Sequence, residues 1–158
     1  MPHIIEFPLP ASTDDPHWQA YSRLGHAYNH ELFGTTEWDE SPEDGLVQAA
    51  ADTAYTTRRY LASVDGTAVG YARSSVNHVD DPDAAFLNVY VHPGHRGRGH
   101  GRALAERLVQ DTAGLGRFET WPMLRPPLPG QRTLTPSSGA GAVPAGHPGV
   151  RLARSYGF

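Results

Sequence analysis

Apolar positions along this chain follow two periods, and the switch between them marks its organisation. His3 to Leu9 has strand character and predicts an opening β-strand. Asp15-Pro16 then offers a helix cap followed by proline in the first turn. Trp18, Tyr21, Gly25, Tyr28 and Leu32 follow at three- and four-residue spacing, which predicts a helix whose aromatic stripe faces the core or a substrate-side wall. Ser41-Pro-Glu-Asp44 has the form of a capping box and starts a second, alanine-rich helix through about Ala54. From Arg58 the period becomes two. Arg59 to Val64 and Ala68 to Arg73 flank the turn pair Asp65-Gly66 and predict a hairpin. Ala85 to His92 is the next strand and should be central, with Leu87, Val89 and Val91 on one face and Phe86, Asn88 and Tyr90 on the other. A glycine-rich turn then opens a helix that directs Gly101, Leu104, Ala105, Leu108 and Thr112 toward the sheet. Gly114 or Gly116 ends it before a strand from Arg117 to Trp121.

Beyond Trp121 the pattern fades, because Met123 to Gly149 is rich in proline, glycine and serine. Thr133-Leu-Thr-Pro and Gly141-Ala-Val read as short edge pieces in a largely irregular segment, and Pro148 to Tyr156 as a late helix.

A chain of 158 residues suits one domain with a single core. No apolar run approaches the roughly 20 residues of a membrane span, and Met1-Pro-His-Ile-Ile-Glu lacks the features of a secretion signal, so a cytoplasmic location with no membrane partner is expected. The absence of cysteine excludes disulfides and a thiol nucleophile, and a net charge of −4 argues against nucleic acid as a partner. Positive charge is concentrated between Arg96 and Arg107, which suits one small polyanion. Nine histidines raise the question of a metal, and His26-x3-His30 has helical ligand spacing. No glutamate stands inside that pair as metalloprotease chemistry requires, and no metal site is expected. The adjacent Arg58 and Arg59 read as a charge pair on a strand edge.

The stretch with the clearest chemistry runs from Val89 through Leu104, where the alternating strand meets Gly97, Gly99 and Gly101 interleaved with Arg96, Arg98 and Arg102. Glycines let backbone N–H groups approach a ligand, and a helix N-terminus carries roughly half a positive charge. Arginine forks suit phosphate oxygens. A P-loop is excluded because the chain contains no lysine, and a dinucleotide fingerprint because its third glycine spacing is missing and the turn lies past mid-chain.

Arg96-Gly-Arg-Gly99-His-Gly101 resembles the acetyl-coenzyme A signature of the GNAT family of N-acetyltransferases, Gln/Arg-x-x-Gly-x-Gly/Ala. The preceding Val91-His92-Pro93, the following Gly101-Arg-Ala-Leu104 and the terminal Ala153-Arg-Ser-Tyr-Gly-Phe158 are similar to the same family, so the resemblance extends over most of residues 1 to 158. It implies an α+β fold in α/β/α layers: a mixed, mostly antiparallel central sheet with a splayed central strand and flanking helices. In the family another strand follows the Gly-Phe pair. The resemblance therefore implies that residues 1–158 are a single domain, C-terminally incomplete and lacking its last strand, or the first half of a tandem two-domain member.

The implied reaction is transfer of an acetyl or other acyl group from acetyl-coenzyme A, as co-substrate, to a primary amine of a small molecule or peptide. By the same resemblance, backbone groups of Val89, Tyr90 and Val91 would hold the pantetheine, and Arg96, Gly97, Arg98, Gly99, His100, Gly101 and Arg102 the pyrophosphate. The catalytic equipment departs from the family pattern. The usual tyrosine position is Ala153, with Tyr156 three residues on, and the usual glutamate position on the central strand is Ala85. Glu119 is the candidate base if it faces the cleft. The competing function class is an inactive acyl-coenzyme A-binding module, and the implied protein partner is a second GNAT domain or a second copy.

Overall fold

The computed structural model describes residues 2–158, which form two compact units, one through Trp121 and one from Pro122 to Phe158.

The first unit is an α+β layered structure. A five-stranded sheet has the order β1 (His3–Phe7), β2 (Tyr55–Val64), β3 (Thr67–Asn77), β4 (Asp81–Val91) and β5 (Arg117–Glu119). All neighbours are antiparallel except β4 and β5. Helices α1 (Pro16–Phe33) and α2 (Pro42–Ala51) belong to one face and α3 (His100–Asp111) to the other. Local chemistry sets the boundaries. The Asp15 carboxylate accepts from the N–H groups of His17 and Trp18 to start α1, and Gly34 closes it at φ 71°. The Ser41 hydroxyl accepts from Asp44 N–H to start α2, which stops at Ala51 rather than Ala54. Asp65 and Gly66, at φ 49° and 76°, make the tight turn that the Asp-Gly pair predicts.

The hairpin strands run further than their apolar alternation suggests. β2 begins at Tyr55, β3 continues to Asn77 and β4 begins at Asp81, four residues ahead of the expected Ala85. Those extensions are polar because one of their faces lines a cavity instead of a core. There the Thr57 and Ser75 hydroxyls bond across the strands at 3.0 Å.

Side chains alternate between the two faces, with the alternation of β3 shifted by one residue at the irregularity opposite Ala62 and Ser63. Tyr60, Ala62, Val69, Ala72, Leu87 and Val91 pack with Leu104 and Leu108 of α3, while Leu61, Tyr71 and Tyr90 pack with Phe7, Trp18 and Leu24 on the α1 side. β4 pairs with β5 only over Ala84–Arg117, Ala85–Phe118 and Phe86–Glu119, where β5 ends, and β4 runs on to Val91 without a strand on that side. The mixed, mostly antiparallel sheet flanked by helices is the α+β architecture that the resemblance implies.

In the second unit, β6 (Thr133–Leu134) pairs antiparallel with β7 (Val143–Pro144), close to the two edge pieces read from the sequence. Helix α4 (Pro148–Ser155) is capped by His147 Nδ1, which accepts from Gly149 N–H at 3.1 Å. Among the described residues no helix is long and apolar enough to cross a membrane.

Candidate functional site

Beyond Phe86, β4 keeps β3 on one side and has no strand on the other. Main-chain groups alternate sides along a strand, and His92 N–H donates to Val69 C=O of β3 at 2.9 Å. Tyr90 therefore also faces β3, and Val89 and Val91 face the open side. Gly70 of β3 confirms the direction, because a Cβ there would meet the Tyr90 carbonyl oxygen at 2.6 Å. The open edge thus carries the N–H and C=O of Val89 and the N–H of Val91, while Tyr90 turns its own main chain away. Of the three residues expected to offer main-chain groups here, Val89 and Val91 do so on the open edge and Tyr90 pairs with β3.

Arg96 closes the end of that edge. Its Nε donates to Val91 C=O at 2.8 Å, and its two Nη atoms donate to the Glu31 carboxylate at 2.7 and 2.6 Å. Its guanidinium also lies 5.6 Å from the Tyr90 ring centre. The side chain thereby braces strand, turn and α1, and of the three arginines expected at the phosphate it leaves Arg98 and Arg102 without such a tie. Glu31, which makes this brace, carries no signal in the sequence beyond its place late in a helix.

After Arg96 the chain turns through Gly97 and Gly99, at φ 76° and 85°, where an added Cβ would meet nothing within 4 Å. The turn is open, and only glycine adopts it without strain. Gly99 is the N-cap of α3 and gives it no side-chain hydrogen bond, so the first N–H groups, on His100, Gly101 and Arg102, point outward uncapped. Arg98 and Arg102 are exposed and carry no ion pair among the described residues. His100 is buried with Nδ1 unpartnered, and burial foremost, then the nearby His95 and Arg98, pushes its pKa down. The imidazole is therefore neutral at pH 7.

On the opposite face a cavity of about 850 Å³ opens between α1, α2 and the sheet. Trp18, Tyr21, Tyr71 and Phe86 supply aromatic walls, and Arg59, Arg73 and Glu119 reach into it. Glu119 thus faces this cavity, held by Arg117 Nε at 2.9 Å, while Arg117 also bonds Asp81. Ala85, fully buried, brings no acid. Ala153 lies within α4 and Tyr156 ends that helix, both in the second unit. His26 is engaged through Nε2 with the Glu40 main-chain oxygen at 2.7 Å, and no cluster of three metal-ligating side chains occurs among the described residues.

Arg58 and Arg59 are not an edge pair. β2 lies inside the sheet, and the two side chains leave it on opposite faces, Arg58 toward Asp111 of α3 and Arg59 into the cavity. The sequence reading missed Arg59 and Arg73 as cavity residues. An unbroken hairpin from Asp65-Gly66 would set Arg59 opposite Ala72; the register shift between Ala62 and Ser63 moves the pairing by one residue and brings Arg73 opposite Arg59.

The model of the Acetyltransferase (GNAT) family matches residues 17–124. The chain is 38% identical over 79 residues to a mycothiol acetyltransferase of Streptomyces avermitilis, which covers 50% of this chain and 24% of that protein. It is 44% identical over 73 residues to the Nocardiopsis dassonvillei protein of the same name, covering 46% and 21%. The matched segment thus spans about a quarter of these relatives' length. Among solved structures, a tandem GNAT protein from the clavulanic acid biosynthesis pathway superposes with a TM-score of 0.62 at 21% identity, covering 89% of this chain and 42% of that one. A putative acetyltransferase of Salmonella typhimurium, yncA, solved with its cofactor acetyl-CoA, gives 0.62 at 22% identity, covering 100% and 79%.

Proposed function

We propose, from the premise that this chain belongs to the acetyltransferase (GNAT) family, that it transfers an acetyl group from acetyl-coenzyme A to a primary amine held in the α1–α2 cavity. One observation carries the reading: the unpaired edge of β4 runs, through the open turn at Gly97 and Gly99, straight into the uncapped N-terminus of α3. An extended arm ending in a diphosphate fits both halves of that feature. Val89 and Val91 offer ladder-type hydrogen bonds to the arm, and the amides of Gly97 to Arg102, with the exposed guanidinium groups of Arg98 and Arg102, suit the diphosphate. The Val91 carbonyl is already taken by Arg96, so Val91 enters as a donor alone.

The bound co-substrate supplies a thioester: the amine nitrogen bonds its carbonyl carbon, the carbon–sulfur bond breaks, and the thiolate leaves to take up a proton. The protein's part is to position the reactants and to move protons. An edge N–H aimed where negative charge develops on the carbonyl oxygen contributes about 3 to 4 kcal/mol to such reactions. Glu119 is the carboxylate in the cavity beside the end of the β4–β5 pairing, and it accepts the proton of the incoming ammonium directly or through water.

Alanine at both Ala85 and Ala153 favours a second reading, an acyl-coenzyme A-binding module without turnover. Calorimetry with acetyl-coenzyme A, paired with a thiol-release assay over a panel of amines, separates the two. Micromolar binding, about −8 kcal/mol, with turnover supports the enzyme, and binding without turnover supports the module. No binding overturns both.

A further inference from the structure

The cavity wall carries a pair of charges that the reaction outlined above does not use. Arg59 of β2 and Arg73 of β3 are direct cross-strand partners, and both line the cavity. Arg59 is only 8% exposed. Four other arginines of the sheet and its surroundings hold carboxylates: Arg58 with Glu6, Arg96 with Glu31, Arg107 with Asp111, and Arg117 with Asp81. Arg59 and Arg73 have no ion pair among the described residues. The neighbours of Arg59 are the Trp18 ring, 5.9 Å from its guanidinium carbon, with Tyr21 and Arg73 itself. Arg73 lies beside the Tyr21 hydroxyl. Like charges facing each other across a ladder are unfavourable, and a buried cation without a counter-charge more so. Burial foremost, and then Arg73, holds Arg59 below the usual arginine range despite the proximity of Tyr21.

We propose that this pair is the receptor for a carboxylate on the acyl acceptor, so that the acceptor is an amino acid or short peptide offering its amine and its carboxylate together. The role as acceptor rests on the acetyltransferase reading; the carboxylate site itself does not. Three observations define the ligand. Arg73 faces Asn88 across β3 and β4, and β4 loses its β5 partner after Phe86. With strands about 5 Å apart, the arginines stand roughly 5 and 10 Å from the end of that pairing, so amine and carboxylate lie a few bonds apart. The cavity is also lined by Glu40 and Asp52, and by Asp81 and Glu119, which Arg117 pairs; these carboxylates attract an ammonium and repel a dianion more than a monoanion, favouring a carboxylate over a phosphate. The aromatic walls of Trp18, Tyr21 and Phe86 suit an apolar side chain.

The test is calorimetry on the whole chain, with and without acetyl-coenzyme A, using L-phenylalanine and L-leucine, their carboxamides, and phosphoethanolamine. The acids should bind about 10- to 100-fold more tightly than the amides, as expected for hydrogen bonds to a charged group. Arg73→Gln should erase that preference, and Arg73→Lys, which keeps the charge and loses the fork, should restore only part of it. Arg59→Gln should act as Arg73→Gln does. Arg73 is half-buried, so its variants keep the test open if Arg59→Gln fails to fold. Equal binding of acid and amide, a preference for phosphoethanolamine, or no amino acid bound at any concentration overturns the proposal. Acetyl-coenzyme A affinity in the same samples reports on the acetyltransferase reading separately.

Discussion

Arg58 and Arg59 are consecutive, yet they sit on opposite faces of one strand in opposite electrostatic surroundings. Toward α3 the sheet is aliphatic and closed, with Leu104 and Leu108 0% and 1% exposed, and its charges are balanced locally. Arg58 bonds Glu6, Arg107 bonds Asp111, and the Tyr60 hydroxyl donates to Asp111 at 2.7 Å. Toward α1 and α2 it is aromatic, with Tyr21, Tyr71 and Tyr90 in a chain of ring contacts at 4.9 and 5.6 Å, and it opens into a cavity holding two arginines that have no ion pair among the described residues. The α3 face holds the fold together; the α1–α2 face keeps its interactions incomplete for a ligand. Substitutions on the first face should therefore register in stability, and those on the second in recognition.

The largest effect belongs to the closed face. Leu104→Ala removes a fully buried side chain from between α3 and the sheet and should destabilise the protein by about 3 kcal/mol. Chemical denaturation measures it, and a loss below about 1 kcal/mol would mean that this face is not the rigid half. Next in size is Gly99→Asp at the turn, where the φ of 85° disfavours any side chain and a carboxylate would stand before the α3 N-terminus. Acetyl-coenzyme A affinity should fall about 10- to 100-fold, or roughly 1.4 to 2.8 kcal/mol. Unchanged affinity in calorimetry would remove the diphosphate from this turn.

The two faces were unequally readable in the sequence. Leu104, Ala105 and Leu108 repeat at helical spacing and announce α3, and Asp65-Gly66 announces the hairpin, because each is a local rule acting on adjacent residues. The glycine turn was readable for the same reason. Arg59 and Arg73 are meaningful only as a cross-strand pair, and Glu31 becomes relevant only when the fold brings it to Arg96, 65 positions away. The polar extensions of β2, β3 and β4 hid for a related reason: a strand that lines a cavity loses the apolar alternation by which strands are recognised. The main-chain direction of Tyr90 was not readable either, because residue type does not reveal which way an amide points.

A smaller effect sharpens the electrostatic half of the comparison. The hydrogen bond from Arg58 foremost holds Glu6 below the usual carboxylate range. At Asp111 burial pushes upward, but the hydrogen bonds from Arg107 and Tyr60 and the arginine charges outweigh it, and the net shift is again downward. Both folded values lie below those of the unfolded chain, so this stabilisation is complete above about pH 5 and is lost as pH falls through the lowered values. Because the groups are partly solvated, it should amount to about 1 kcal/mol. Glu6→Gln combined with Asp111→Asn should flatten the acid limb of a stability–pH curve. An unaltered limb would show that the network on the closed face is ornamental.

The smallest effect should have the opposite sign. Arg59→Met keeps a long flexible side chain against Trp18 while removing a buried cation that has no counter-charge and faces Arg73. If the closed and open faces divide as described, this substitution leaves thermal stability unchanged or raises it by about 0.5 kcal/mol, because it relieves desolvation and like-charge repulsion. An arginine that served only the fold would give the reverse, a clear loss on truncation of its hydrogen bonds. The melting temperature without ligand thus separates the two roles. A drop equivalent to more than about 1 kcal/mol would make Arg59 part of the scaffold, and a rise would mark it as a charge that the folded chain tolerates for the sake of what binds there.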